Sequence, residues 1–231
     1  MKSPILITGA ARSGTSLVAG IVNLCGAFGG NCVGPNKFNA KGMFENHAIR
    51  QNILKPYLES QGYDALGQYP LPNTNELSIP QGFKDRVMAS IKSEGLVEGM
   101  SWFYKGAKMC QMWPVWNYAF PNAKWVIVRR RTPDIVRSCV HTGFMRAFSN
   151  KQKQIAVGAN TMEEGWLWWV RQHEKYFVDM IQAGLNCKVI WPERMVDGDY
   201  TQMHELIDWL GLEWNGEVYN FIEPKLWRGT I

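Results

Sequence analysis

Pro4-Ile5-Leu6-Ile7-Thr8 is a short unbroken apolar run, and Gly9-Ala10-Ala11-Arg12-Ser13-Gly14-Thr15-Ser16 follows it directly. An apolar run of this length suits a strand buried on both faces, as in a parallel sheet. From Ser16 to Cys25, Leu17, Ile21, Val22 and Leu24 fall on one side of a helix, and Gly26 supplies a stop. Strand, glycine loop and helix together form the opening unit of an α/β fold. Backbone N–H groups converging on a helix N-terminus make such a loop an anion site. An ordinary strand-to-helix turn has the same outline, so the loop needs support from elsewhere in the chain.

The remaining sequence repeats the alternation. Residues 26–46 are rich in Gly and Asn and read as loop, and a helix is expected over 46–60. Turn residues crowd 61–80, which reads as a surface excursion on the substrate side. A helix over 83–93 precedes a second strand, Trp102-Phe103-Tyr104, ending at Lys105. Lys124-Trp125-Val126-Ile127-Val128 is the clearest strand after the first. Thr132 then reads as an N-cap with Pro133 at the first helical position, and that helix runs to about Thr142. Trp166, Trp169, Val170, His173, Phe177, Met180 and Ile181 recur at helical spacing, which predicts a long helix over 161–182. Lys188-Val189-Ile190-Trp191 is a fourth strand, and Met203, Leu206, Ile207 and Leu210 form a last apolar helix face stopped by Gly211. We therefore expect a doubly wound parallel sheet flanked by helices, a three-layer α/β/α arrangement like that of P-loop NTPases. One domain is expected over 1–231, with a variable excursion at about 60–100. Ligands bind such sheets at the carboxyl ends of the strands.

Composition limits the partners. A net charge of +5 with basic residues scattered, except at Arg129-Arg130-Arg131, makes no demand for nucleic acid, and an anionic small ligand accounts for it as well. Cys25, Cys32, Cys110, Cys139 and Cys187 are widely spaced with no CxxC, which fits a reducing compartment and predicts a cytoplasmic protein. His47, His141, His173 and His204 stand apart, without zinc-site spacing, so no metal is expected. The apolar run after Lys2 stops at Gly9 and reads as a strand, not a signal peptide, and no stretch is long enough for a membrane span. Aromatics reach 13%, and each Trp reads first as core packing, then as lining for a ring-bearing ligand.

Gly9 and Gly14 have P-loop spacing, but the Lys and Ser or Thr that should follow are Thr15 and Ser16. Arg12 restores a cation two residues before Gly14 and can fork to two oxygens of a phosphate or sulfate. P-loop NTPases also end an apolar strand in an Asp that helps hold magnesium. Here the corresponding strand end is Arg129-Arg130-Arg131, which attracts anions and repels a metal. The two departures point to a nucleotide handled without magnesium.

With these residues in place, the sequence resembles the sulfotransferases that use 3′-phosphoadenosine 5′-phosphosulfate (PAPS). Arg12-Ser13-Gly14-Thr15-Ser16 resembles that family's 5′-phosphosulfate loop. Val126-Ile127-Val128-Arg129-Arg130-Arg131-Thr132-Pro133-Asp134-Ile135-Val136-Arg137-Ser138 resembles its 3′-phosphate motif, with Arg130 and Ser138 as the pair. Arg129 or Arg131 takes the Arg role if the register slips by one. Weaker similarity runs through Phe103-Tyr104-Lys105, Trp191-Pro192-Glu193 and Asp208-Trp209-Leu210-Gly211, so the likeness spans most of the chain except about 60–100.

The resemblance implies transfer of a sulfuryl group from PAPS to a hydroxyl or amine of a small-molecule or glycan acceptor, leaving 3′-phosphoadenosine 5′-phosphate (PAP). Arg12 would face the bridging oxygen, and Ser13, Gly14, Thr15 and Ser16 would hold the 5′-phosphate. Arg130 and Ser138 would grip the 3′-phosphate. Lys105 would contact sulfate or acceptor or, equally, be a solvated Lys, and Trp191 reads first as core packing and second as a partner for adenine. Arg228 faintly echoes a late phosphate-binding segment. Cytosolic members carry a His base two residues after the Lys that Lys105 resembles, but this position is Ala107. Other members use a Glu shortly after the first loop and helix, and the resemblance makes Glu45, in Gly42-Met43-Phe44-Glu45-Asn46, the expected base with His47 the second choice. The alternatives are a P-loop kinase or NTPase, and a nucleotide-binding protein without turnover.

Overall fold

A computed structural model describes residues 1–228, with side chains through Trp227. Four strands, β1 (Ile5–Thr8), β2 (Phe103–Lys105), β3 (Lys124–Val128) and β4 (Cys187–Ile190), pair in parallel in the order β2-β1-β3-β4. Ile7 of β1 stands between Lys105 and Val126, and Val126 pairs with Lys188. The α-helices are α1 (Thr15–Leu24), α2 (His47–Ile49), α3 (Lys55–Ser60), α4 (Phe83–Ser93), α5 (Trp113–Ala119), α6 (Thr132–His141), α7 (Lys151–Ala156) and α8 (Met162–Gln182). The chain closes through α9 (Glu193–Val196), α10 (Thr201–Leu210), α11 (Val218–Phe221) and α12 (Pro224–Arg228).

Strand alternation splits the core into two layers. Ile5, Ile7, Val126 and Val128 face α1 and α10, while Leu6, Trp125 and Ile127 face α3, α4, α5 and α8. Both faces of β1 and β3 are thus covered, which is why their sequences are apolar without interruption. Trp102, Trp116, Trp125, Trp166 and Trp169 are essentially fully buried. Tyr104 stacks on Trp116 with ring centroids 5.2 Å apart. Burying each large side chain contributes roughly 1.5–3 kcal/mol. No helix among the described residues is long and apolar enough to cross a membrane.

Several element ends differ from expectation for local reasons. The helix expected over 46–60 is broken: Asn46 caps α2 through the Ile49 N–H, and a π turn at Arg50–Leu54 separates α2 from α3. Pro56 has no N–H for a carbonyl one turn back, and the wider turn takes up the defect. The N-cap of α6 is Arg131 rather than Thr132, with no capping side chain; Thr132 and Pro133 already lie in the first turn. Thr161 caps α8 by accepting the Glu164 N–H, and β4 begins one residue earlier than expected, at Cys187. The excursion at 61–80 has no helix or strand but is pinned from beneath. The Gly67 carbonyl accepts from Gln111 Nε2 at 2.8 Å and from Trp169 Nε1 at 3.0 Å.

Candidate active site at the carboxyl edge of the sheet

The loop after β1, Lys105 at the end of β2 and Arg130 beyond β3 meet at one edge of the sheet. They line a cavity of about 1020 Å³. That size matches the largest single-ligand clefts, at about 1,000 Å³. Phe38 from the early loop, Gly67 and Gln68 from the excursion, and Phe144 and Met145 after α6 complete its walls.

The loop is shaped by two left-handed residues, Arg12 (φ 74) and Gly14 (φ 97), the second being the N-cap of α1. Gly9 must lack a side chain because a Cβ there would stand 2.3 Å from the Val128 carbonyl oxygen. β1 and β3 can therefore approach to the point where their two loops share a wall. Ser13 is fully buried and its Oγ has no partner among the described residues. It sits under the tight turn at Gly9, where a Cβ would stand 2.7 Å from it, and does not line the cavity.

Arg12 Nε donates to Ser138 Oγ at 2.9 Å, and its Nη1 reaches the Phe38 carbonyl at 3.4 Å. The glycine loop and α6, distant in sequence, are thus in direct contact. Arg130 donates to the carbonyls of Arg12 (3.2 Å) and Trp227 (3.0 Å), and its guanidinium lies 4.4 Å from the centre of the Trp227 ring. Arg130 Nε is buried without a partner among the described residues. Burial lowers the pKa of both arginines without discharging them. The other two arginines of the triplet face elsewhere. Arg129 pairs with Glu174 and covers Trp191 at 4.8 Å, and exposed Arg131 binds Asp134 at 2.8 Å. Trp191, considered above for adenine, does not line the cavity, whereas Trp227 does. The Trp227 ring lies so close over Gly14 that a Cβ there would stand 2.4 Å away. The side chain of Arg228, and residues 229–231, lie outside the described residues.

On the acceptor side, Lys105 Nζ donates to Ser16 Oγ at 3.3 Å and to Glu45 Oε1 at 3.1 Å. Glu45 Oε2 faces Arg50 Nε at 3.1 Å. The turn that brings Glu45 inward uses left-handed backbone at Gly42 (φ 104) and at Phe44 (φ 54), a non-glycine residue for which this conformation is costly. Glu45 is fully buried within its ion pairs. Burial opposes its charge, but Lys105, Lys108 and Arg50 outweigh burial and hold the carboxyl below its ordinary pKa. A carboxylate in two ion pairs with a lowered pKa is a weak proton acceptor. His47 does not join it: its side chain is exposed at the start of α2, away from the cavity.

Sequence reasoning missed Lys108 and Gln111. Both lie on a 3-10 helix at Ala107–Met112 and line the cavity. Three residues per turn set them on one face. The clue in the sequence was their spacing, which has meaning only once that turn is known to be 3-10.

No protein-family model and no curated protein sequence matches the chain. Solved structures do match in fold. The chain is similar to a sulfotransferase domain from the curacin biosynthetic pathway, at 13% identity and TM-score 0.59, covering 100% of this chain and 81% of that one. It is similar to a sulfotransferase domain from the Synechococcus PCC 7002 olefin synthase, at 14% identity and TM-score 0.58, covering 100% and 90%. It is also similar to sulfotransferase STF9 from Mycobacterium avium, at 12% identity and TM-score 0.56, covering 96% and 67%. The parallel sheet flanked by helices is the fold that they share with this chain.

Proposed function

We propose that the chain transfers a sulfuryl group from PAPS to a hydroxyl or amine of a small-molecule or glycan acceptor, releasing PAP. The observation that carries this reading is the pairing of two anion grips at one sheet edge. A phosphate loop without its Lys touches Ser138 through Arg12, and Arg130 bridges back to the same loop. Arg12, Arg130 and Ser138 all line the cavity beside the start of α1, which suits a ligand with anionic groups at two positions. The sulfotransferase-like fold supports the same reading.

When bound, PAPS supplies an activated sulfuryl group. Backbone N–H groups of Gly14 to Ser16 would hold the 5′-phosphate at the start of α1, whereas the Ser13 N–H is already donated to the Ala10 carbonyl at 3.0 Å, and Arg130 and Ser138 would hold the 3′-phosphate. Ser138 accepts from Arg12 and keeps its own hydroxyl proton to donate. Arg12 and Lys105 meet the charge that develops on the leaving phosphate oxygen. Glu45, with both oxygens in ion pairs, positions Lys105 and Arg50 rather than taking the acceptor's proton.

Thermal unfolding with PAP against ADP plus magnesium tests the nucleotide. PAP is expected to raise Tm in proportion to RT ln(1 + [L]/Kd), and ADP with magnesium to do little. A preference for ADP with magnesium would sink the proposal.

A further inference from the structure

The cavity continues past Lys105 along the 3-10 turn, and Lys108 forms part of that wall. Lys108 is only 9% exposed, yet it makes no hydrogen bond or close ion pair among the described residues, because Glu45's oxygens are taken by Lys105 and Arg50. Its stem is clamped by the excursion. Gly67 (φ 70) passes so close that a Cβ there would stand 2.7 Å from Lys108 Cγ. Lys108 is therefore held at the cavity wall.

The charged groups around it come from every neighbouring element: Glu45 before α2, Arg50 on the π turn, Lys55 opening α3, and Lys105 ending β2. The nearest titratable group on α8, His173, is neutral and shielded by Gln111. One carboxylate thus faces three cations besides Lys108 itself. Burial, with Arg50, Lys55 and Lys105 against the pull of Glu45, pushes the Lys108 ammonium down to about 8.

We propose that Lys108 is the catalytic base that takes the proton of the acceptor, a role that rests on the sulfuryl-transfer reading above. The acceptor's O–H or N–H bond breaks and its proton moves to the lone pair of the Lys108 amine. The acceptor's electron pair forms the new bond to sulfur. The bond from sulfur to the 5′-phosphate oxygen breaks, and its electrons stay on the phosphate. Lys108, now an ammonium beside Glu45, returns the proton to water. Nothing is oxidised or reduced.

Two measurements test this. Competitive acetylation of the whole chain across pH, read by peptide mass spectrometry, gives each lysine's midpoint independently of its accessibility. Lys108 is expected near 8, where at pH 7.5 its neutral fraction exceeds that of a solvated lysine by roughly 200-fold. A midpoint with the surface lysines overturns the proposal. Turnover of PAPS with 2-naphthol, which must lose a proton, is then compared with 4-nitrophenol, which is largely ionised at pH 8. Lys108→Arg keeps the charge but cannot act as base. It should lose about 100-fold or more with 2-naphthol and far less with 4-nitrophenol. Equal losses, or an unchanged rate and pH profile, overturn the base while leaving sulfuryl transfer standing. Failure of PAP to stabilise the unaltered chain against heat sinks both readings together.

Discussion

Glu45 carries a charge where burial opposes one. Lys105, at 4% exposure, depends on it, with Ser16 as its other polar contact. Glu45→Gln preserves shape and removes the charge, leaving a buried ammonium uncompensated. We expect urea unfolding at pH 7 to report a loss of about 3–5 kcal/mol; a loss near zero would mean that the pair contributes nothing. The pH dependence has a defined sign. Folding lowers the carboxyl's pKa, so its stabilisation is complete above the unfolded value, about 4.3, and is lost as pH falls through the folded value. The Gln variant should lack that part of the acid transition. Sequence reasoning selected Glu45 from its position but not its role. Arg50 and Lys108 lie five and three residues from Glu45 and Lys105, yet only the folded π and 3-10 turns bring them to the carboxylate.

Among the elements, α8 holds the acceptor wall in place. His173 Nδ1 lies 2.9 Å from the Trp169 carbonyl, so it must donate there, and its Nε2 accepts from Gln111 Nε2 at 3.1 Å. The remaining Gln111 proton and Trp169 Nε1 both go to the Gly67 carbonyl. A protonated ring has no lone pair for Gln111, and burial pushes the His173 pKa down to about 4. The unfolded chain takes up a proton near pH 6.5, whereas the fold resists until about 4. Stability should therefore fall as pH drops across that window, by about 3 kcal/mol in all. His173→Gln should flatten the slope in pH-dependent urea unfolding, and an unchanged slope would remove His173 from the account. The apolar periodicity placed His173 on the buried face of this helix, whose start was expected at Thr161, the residue that caps it. The pinned excursion was not: its contacts are backbone carbonyls reached from distant side chains, and hydropathy carries no trace of them.

Across the whole molecule, the strand–loop–helix opening, the parallel sheet and the arginine-bearing loops after β1 and β3 could be read because each is a local pattern repeated at strand ends. What lines the far side of the cavity depends on packing between segments many tens of residues apart. Trp227 is an example, since its ring covers Gly14 and its carbonyl accepts from Arg130. A nucleotide engaging that loop should tie down α12. PAP is expected to slow amide hydrogen exchange in the loop 9–16 and in α12 while leaving α4, on the opposite face from α1, unchanged. Unaltered exchange in α12 would separate it from the nucleotide site. The strand order has a further cost during synthesis. β1 is made first but lies at the centre of the sheet, and its partners begin at Phe103 and Lys124. At 5–20 residues per second, Ile5 to Thr8 wait about 5–20 s for the first of them. During that interval an apolar strand with both edges open is a template for the wrong neighbour. Recovery of intact protein from a recombinant host should therefore depend on how fast ribosomes deliver the middle of the chain and how well chaperones shield its beginning.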